Sequence, residues 1–263
     1  MTPPSSATGR DDPRAAAAVA RFRPGNTAFN RALTRLVVAT SRWVMTRRNR
    51  LEVSGLERLE AVRPRVARGG RGLLTFSNHV SLLDDPLLVA NFVDAAEYED
   101  VRWVAADALN FFGDAVRGAV FSAGRCVPVV RGWGESQPGM AFLRDRLRAG
   151  DWVHLFPEGG RTREAGSRLR RPFKSGIGRL LEETRPVTLG FYHHGMAEVL
   201  PIGARLPGRG HAVQVLFGEP ARCDDAFLAR CAGGSEDPRA RWEGLAGWAE
   251  AELSALELRV RGA

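Results

Sequence analysis

Residues 72–86 read GLLTFSNHVSLLDDP, which is an apolar strand-like run followed by a histidine, two aspartates and a proline. His79 and Asp84 lie five positions apart. On a regular helix five positions turn about 500°, so these two side chains would point to different faces. They can meet only where the chain bends between them. Ser81 and the pair Asp85-Pro86 are both helix-start signals, so the sequence predicts a strand, a bend, and then a helix over about residues 82–95.

The predicted bend suggests a use for the two polar side chains. With His79 in the loop and Asp84 in the first helical turn, the carboxylate accepts the Nδ1 proton and leaves Nε2 free as a base. One histidine and one aspartate at this spacing are more often only a capped turn. The pair therefore needs a second motif before it indicates catalysis.

A second motif follows another strand-like run, residues 151–155. It reads Phe156-Pro157-Glu158-Gly159-Gly160-Arg161-Thr162. Two glycines let backbone N–H groups approach an anion closely, and the adjacent Arg161 guanidinium offers bidentate binding of phosphate. A plain glycine-rich turn with a solvated arginine is the alternative. Together, the two motifs favour chemistry on a hydroxyl of a phosphorylated molecule.

The His-x4-Asp and Pro-Glu-Gly motifs resemble those of the glycerophospholipid acyltransferase superfamily, which includes the lysophosphatidic acid acyltransferases. Within it the chain is most similar to the tafazzin branch, because five blocks stand in the tafazzin order across roughly residues 70–220. Many superfamily members have Thr where this chain has Gly160. The blocks are residues 78–86, 124–132, 150–159, 176–180 and 195–201.

The resemblance implies an O-acyltransferase that moves a fatty acyl chain to a hydroxyl of a lysophospholipid. His79 would remove the hydroxyl proton, and Asp84 would hold the imidazole and stabilise its charged form. Backbone amides near the helix start would stabilise the oxyanion. The donor is another phospholipid if the chain works as a tafazzin-like transacylase. It is acyl-CoA or acyl-carrier protein if the chain works as a 1-acylglycerol-3-phosphate acyltransferase. A non-catalytic lipid-binding protein of the membrane surface is the alternative of another class.

Five residues are predicted to bind the substrate. Gly159, Gly160 and Arg161 form the predicted phosphate site. Arg131 ends a strand and matches a basic residue of the superfamily's second motif, with a solvated loop arginine as the alternative. The resemblance implies that Glu158 contributes to acceptor binding. The alternative is a structural carboxylate that ties loop amides together.

The charge of the chain favours an anionic partner. Its 263 residues carry a formal net charge of +8, and Lys174 is the single lysine, so nearly all of the positive charge is arginine. Basic proteins bind nucleic acid or anionic membrane surfaces. No zinc-finger, helix-turn-helix or RNA-binding aromatic motif is present, so we expect phospholipids, lysophospholipids and an anionic membrane surface as partners and no nucleic acid.

Other catalytic classes lack their motifs in this sequence. It has no Gly-x-Ser-x-Gly elbow and no Walker A sequence, which disfavours a serine hydrolase and a P-loop enzyme. His193 and His194 lack the spacing of metal ligands, so we expect neither a metal nor a cofactor. His154 lies within a strand and is expected to be structural. Three cysteines do not make a disulfide framework and favour a reducing, cytoplasm-facing compartment.

Residues 1–25 are rich in Ala, Pro, Ser and Arg and have no apolar signal region, so we predict a disordered tail. Residues 26–50 are predicted to contain an amphipathic helix at the membrane interface, because Phe29, Leu33 and Leu36 share one helical face. A helix packed on the domain with solvated arginines is the alternative. No run of 18 apolar residues occurs, so we expect a peripheral, monotopic membrane protein.

Strands alternating with helices over residues 51–220 predict an α/β acyltransferase domain with a largely parallel mixed sheet. Apolar residues at 107–123 predict a helix that is either core or the lining of an acyl-chain channel. Five arginines between residues 159 and 172 predict a mobile basic loop. Residues 221–263 are predicted to be a loop-rich connector and a C-terminal amphipathic helix.

Overall fold

The computed structural model describes residues 12–63, 70–93, 98 and 101–262. Over these ranges the chain alternates helices and strands, as the sequence pattern predicts. The helices are α1 Pro13–Ala20, α2 Ala28–Trp43, α3 Leu56–Val62, α4 Ala108–Phe111, α5 Ala115–Ala123, α6 Pro138–Arg148, α7 Gly176–Thr184, α8 Met196–Val199, α9 Asp225–Cys231 and α10 Pro238–Arg261. The strands are β1 Arg50–Ser54, β2 Leu73–Ser77, β3 Trp103–Asp107, β4 Cys126–Val129, β5 Trp152–Leu155, β6 Val187–His194, β7 Ala212–Phe217 and β8 Ala221–Arg222.

The strands form one mixed sheet in the order β1-β7-β6-β2-β5-β3-β4, with β8 paired to β6. Every neighbouring pair from β6 to β4 is parallel. Strand β7 runs antiparallel to β6, and β1 runs parallel to β7. The predicted α/β fold with a largely parallel sheet is confirmed.

Strand β2 lies at the centre of the sheet, and all five of its residues are buried. Such a strand has to be apolar on both faces, which explains the strand-like run that precedes His79. Helices α6, α7 and α10 cover one face, whereas α2, α3 and residues 84–92 cover the other. The carboxyl ends of β2, β5, β3 and β4 meet at one edge, and ligands of parallel α/β sheets bind at this edge.

The predicted disorder of residues 1–25 is wrong for α1. Asp12 caps this helix by accepting a hydrogen bond from Arg14 N at 2.9 Å, and proline occupies its first position. Ala15 and Ala18 are buried against α4 and the end of β4. A small, alanine-rich face packs closely on its neighbour, and this gives order to a segment whose composition indicated none. Residues 1–11 lie outside the described residues.

Helix α2 and a π-helical turn over Val44–Arg48 occupy the place of the predicted amphipathic helix. Thr27 caps α2 by accepting from Asn30 N at 3.1 Å. The helix lays a mostly polar face on the domain: Thr34 Oγ1 donates to Ala123 O at 3.3 Å, and Ser41 Oγ donates to Pro86 O at 2.6 Å. Its polar side chains therefore anchor the helix to the protein.

The apolar face of α2 points to solvent. Phe29 is 58% exposed, Leu36 is 63% exposed and Trp43 is 52% exposed. Helices of globular proteins place such residues in the core, so α2 has the opposite orientation. Within the described part of the chain, no helix has the length and apolar character needed to cross a bilayer.

Three other segments differ from the predicted elements. The helix predicted at 107–123 is broken between α4 and α5, where Asp114 caps α5 by accepting from Arg117 N at 2.8 Å. The predicted connector from residue 221 contains β8 and α9. After β2, a π turn at Asp84–Leu88 and a 3-10 turn at Val89–Asn91 replace the start of the helix predicted to residue 95. Residues 94 and 95 are outside the described residues.

A buried ion pair joins the π turn after β2 to the start of β3. Arg102 Nε donates to Asp85 Oδ1 at 2.6 Å, and a second guanidinium nitrogen bonds the other carboxylate oxygen. Arg102 Nη1 also donates to Gly124 O at 2.8 Å. Burial lowers the pKa of Arg102 to about 10, so the guanidinium stays charged at neutral pH. Because both groups are buried, each charge is stabilised mainly by the other.

Candidate active site

His79 and Asp84 meet at the carboxyl edge of the sheet. His79 follows β2, and its Nδ1 lies 2.9 Å from Asp84 Oδ2. A carboxylate only accepts hydrogen bonds, so Nδ1 carries the proton and the lone pair of Nε2 is free. Nε2 makes no hydrogen bond with the residues that the structure describes. The predicted contact is confirmed, whereas the predicted catalytic roles stay predictions.

The bend between the two residues is built by Asp84 itself. Its Oδ2 accepts from Val80 N at 2.7 Å and from Ser81 N at 2.9 Å, in addition to His79. The prediction that Ser81 is the helix N-cap is wrong, because the helical turn begins at Asp84 with Leu83 at the cap position; Ser81 Oγ accepts from Leu83 N at 3.4 Å and donates to Leu200 O at 3.1 Å. The amides of Val80 and Ser81 are thus occupied and cannot serve as the predicted oxyanion donors.

The loop after β5 holds His79 on three sides. The imidazole stacks on the ring of Phe156, with centroids 4.1 Å apart and an interplanar angle of 19°. His79 N donates to Glu158 Oε1 at 2.6 Å, and Thr162 N donates to His79 O at 2.7 Å. The imidazole and its backbone therefore have one defined position, as a general base requires. The same bonds order the beginning of the loop that was predicted to be mobile.

The Glu158 carboxylate is buried and binds two backbone amides. Its side chain is 1% exposed, and its two oxygens accept from the backbone N–H groups of His79 and Arg170, the latter at 2.7 Å. Both oxygens are therefore used inside the protein. The alternative, a carboxylate that ties loop amides together, describes this geometry. Glu158 thus fixes the backbone of His79, and its part in acceptor binding stays a prediction.

Glu158 also gives the fold a pH dependence. Burial raises the pKa of this carboxyl from its ordinary 4.5 to about 7. The folded protein thus binds the proton more tightly than the unfolded chain, so stability from this group is fully present below pH 4.5 and is lost as the pH rises through about 7.

We expect Glu158→Gln to remove that dependence. As the pH rises from about 5 to 8, the wild type should lose up to about 3 kcal/mol of its free energy of unfolding through Glu158, and the variant should not. One pKa unit is worth about 1.4 kcal/mol. Urea unfolding of both proteins at the two pH values measures the difference. The buried residues His154 and His193 are present in both proteins, so their contributions to the pH dependence cancel in the comparison. An unchanged difference would show that Glu158 ionises normally.

Arg131 lies beside the Gly159-Gly160 turn, and substrate binding by these residues stays a prediction. Gly159 has φ +71°, a conformation that favours glycine, and a Cβ there would approach Lys174 Cγ at 3.0 Å. A Cβ on Gly160 would lie 3.5 Å from Arg131 Nη2. Arg131 follows β4, and its Nε lies 2.9 Å from Asp107 Oδ2 at the end of β3. Arg161 forms no hydrogen bond or ion pair with the described residues, and its role stays a prediction.

Sequence reasoning missed the part played by Asn78 and His193. Asn78 Nδ2 donates to His193 O at 2.9 Å, and His193 N donates to Asn78 Oδ1 at 2.9 Å. His193 Nε2 lies 3.0 Å from Asn78 O and 3.8 Å from Asp84 Oδ2. Burial lowers the pKa of His193, so this ring is neutral beneath the pair of His79 and Asp84. Only the position of Asn78 next to His79 gave a signal in the sequence.

His154 is structural, as predicted. It is fully buried, and its Nδ1 lies 2.9 Å from Thr75 Oγ1. The ring stacks on Phe191 at a centroid distance of 5.3 Å. Burial holds the pKa of this imidazole well below its ordinary value. A neutral ring in the core supports β2 and β5 and takes no part in the site.

Comparison with known proteins gives concordant matches. The model of the Acyltransferase family matches residues 50–203. The Taffazin of Dictyostelium discoideum is 31% identical over 188 residues, which cover 68% of this chain and 65% of the relative. The N-acylphosphatidylethanolamine synthase of Arabidopsis thaliana is 32% identical over 173 residues, covering 62% of this chain and 60% of the relative. The chain thus spans somewhat less than two thirds of the length of these relatives.

A solved structure shares the fold. The 1-acyl-sn-glycerophosphate acyltransferase PlsC of Thermotoga maritima superposes with a TM-score of 0.59, covering 87% of this chain and 78% of its own. The two sequences are 17% identical, so the likeness concerns the fold. It agrees with the mixed sheet described above.

Proposed function

We propose, from the premise that this chain belongs to the Acyltransferase family, that it transfers a fatty acyl chain to a hydroxyl of a lysophospholipid. One observation carries the proposal: His79 Nδ1 lies 2.9 Å from a buried carboxylate while Nε2 is free, at the sheet edge where substrates bind. This is the arrangement of a base with its orienting group.

In the proposed reaction His79 Nε2 takes the proton of the acceptor hydroxyl as its oxygen attacks the acyl carbonyl. The leaving group departs from that carbonyl and takes a proton back from the imidazolium. Asp84 stabilises the charged imidazole between the two steps. Three hydrogen bonds converge on Asp84 Oδ2, which fixes the carboxylate in its orienting position.

The acyl donor we propose is a second phospholipid, which makes the enzyme a transacylase of phospholipid remodelling. The sequence similarity to tafazzins, which includes the five ordered blocks, supports this donor. The alternative donor is an acyl thioester on CoA or acyl-carrier protein. Both donors present an acyl carbonyl to the same activated oxygen, so the base does not distinguish them.

Purified protein tests the function and the donor together. It is incubated with a lysophospholipid and a diacyl phospholipid that carries a labelled acyl chain, with and without acyl-CoA or acyl-carrier protein. If the labelled acyl chain appears on the acceptor when no thioester is added, the result supports the transacylase. Transfer only with a thioester supports the alternative. No transfer with any donor would contradict the proposal and favour a non-catalytic lipid-binding protein.

We also propose that the protein binds membranes peripherally through α2. Helix α5 packs beside α2, and α4 and α5 also carry exposed apolar residues. Arg47 and Arg48 follow in the exposed part of the π turn, where each adds about 1 kcal/mol of attraction to an anionic surface. An apolar face rimmed by arginines fits the boundary of head groups and acyl chains. The exposed apolar residues of α4 and α5 are Leu109, Val116 and Val120.

The double substitution Phe29→Ser/Leu36→Ser is expected to lower partitioning to anionic liposomes at least about tenfold. Burying each of these side chains in an apolar medium contributes about 1.5–3 kcal/mol to the free energy of binding, and serine does not make this contribution. Liposome sedimentation at low salt measures the loss. Leu206→Ser/Leu258→Ser is the matched control, since these leucines are also exposed but lie elsewhere. Equal binding by both double variants would contradict the assignment of the surface.

A further inference from the structure

Two guanidinium groups converge on Gly160. A Cβ at this glycine would lie 3.5 Å from Arg131 Nη2 and 3.7 Å from Arg170 Nη1, so these two nitrogens are about 7 Å or less apart. Arg131 comes from the end of β4, whereas Arg170 comes from the far end of the loop after β5. Residues separated by 39 positions thus bring like charges to one face of the same glycine.

The two arginines differ in what balances their charge. Arg131 is paired with Asp107 through Nε, which leaves the Nη2 side toward Gly160. The guanidinium of Arg170 forms no hydrogen bond and no ion pair with the described residues, and the side chain is exposed. Like charges this close repel each other, and an anion between them removes that repulsion. Two guanidinium groups at one glycine can together bind the oxygens of a phosphate.

The position of Arg170 is tied to that of the base. Arg170 N donates to Glu158 Oε2 at 2.7 Å, and the other oxygen of this carboxylate accepts from His79 N at 2.6 Å. Thr162 N, two residues beyond Gly160, donates to His79 O at 2.7 Å. Gly160, which is itself buried between the two exposed arginines, therefore lies one short loop segment from the imidazole.

We propose that Arg170 is a specificity-determining residue that, with Arg131, binds the acceptor's phosphate over Gly160. This inference rests on the proposed function for its substrate, a phosphorylated lysolipid. It adds a cation from outside the Pro-Glu-Gly motif. Since Glu158 fixes its backbone relative to His79, Arg170 sets which acceptors present a hydroxyl to the base.

Arg170→Gln is the test, with short-chain lysophosphatidate, lysophosphatidylglycerol and uncharged monoacylglycerol as soluble acceptors. The first two probes distinguish a phosphate monoester from a diester. We expect KM for both phosphorylated acceptors to rise about tenfold, as the loss of one charge-assisted hydrogen bond predicts, with kcat within twofold of wild type. KM for monoacylglycerol should stay within twofold. Arg170→Lys keeps the charge and should recover part of the loss.

Arg163→Gln is the matched control, because it removes one exposed arginine from the same loop. A rise in KM no larger than that of Arg163→Gln would overturn the proposal, as would equal losses with charged and uncharged acceptors. Calorimetric binding of lysophosphatidate in a His79→Ala background separates this inference from the proposed function. If wild type transfers no acyl chain while Arg170→Gln still weakens binding tenfold, the phosphate site stands and the transferase does not. Equal calorimetric affinity with and without Arg170 would overturn the site.

Discussion

Replacing His79 by alanine is expected to lower the rate of acyl transfer by at least about 100-fold and to leave the fold intact. General-base catalysis typically contributes 10²–10⁴-fold, and the alanine variant has no group to take the hydroxyl proton. The fold should persist because the bonds to Glu158 and from Thr162 use the backbone N–H and C=O of residue 79. Initial rates with a labelled phospholipid donor measure the loss, and thermal unfolding checks the fold.

His194→Ala is the matched control for this substitution. His194 ends β6 at the same edge of the sheet, but its side chain forms no hydrogen bond or ion pair with the described residues. We expect its transfer rate to stay within about twofold of wild type. A folded His79→Ala protein with wild-type rates would rule out the base assigned here. Transfer would then depend on a group other than His79.

Replacing Asp85 by alanine is expected to cost about 3–5 kcal/mol of the free energy of unfolding. The substitution leaves Arg102 charged and buried without its partner, and breaking a buried pair from one side has this order of cost. The substitution Glu243→Ala is the control, because Glu243 pairs with Arg239 where both side chains are mostly exposed. Exposed pairs contribute only about 0.2–1 kcal/mol.

Urea unfolding of Asp85→Ala, Arg102→Met and the double variant completes the test. Because the pair is lost in either single variant, the double variant should be less destabilised than the two single effects together predict. Similar losses for Asp85→Ala and Glu243→Ala would show that water reaches the pair. The result matters for the site, since Asp85 follows Asp84 directly in the turn that carries the orienting carboxylate.

The sheet and the pair of His79 and Asp84 were predictable because local sequence determines them. Apolar runs predicted the strands β2 and β5, and an amphipathic pattern predicted α10. The bend between His79 and Asp84 was inferred because two side chains five positions apart on a regular helix could not meet. The detail of that bend did not follow, because Asp84 replaced Ser81 as the residue that binds the loop amides.

The surroundings of the pair depend on contacts between distant segments. Glu158 binds the amide of His79 because β2 and β5 are neighbours in the sheet. The sequence indicates that both segments are strands but not that they are adjacent. Arg170 was one of several arginines in a loop, and nothing local distinguishes it from Arg163. The α2 helix was located by its pattern, but the choice of the outward face depended on the small polar side chains that pack against α5.

Helix α1 changes how a shortened protein would behave. Its alanines cover Ala108, Phe112 and Val130, which otherwise meet water beside the ion pair of Asp107 and Arg131. Trimming the first 25 residues as dispensable would uncover that apolar cluster and loosen the ends of β3 and β4. The shortened protein is expected to lose solubility and, with it, the proposed head-group selectivity, although His79, Asp84 and the arginines over Gly160 would still be present.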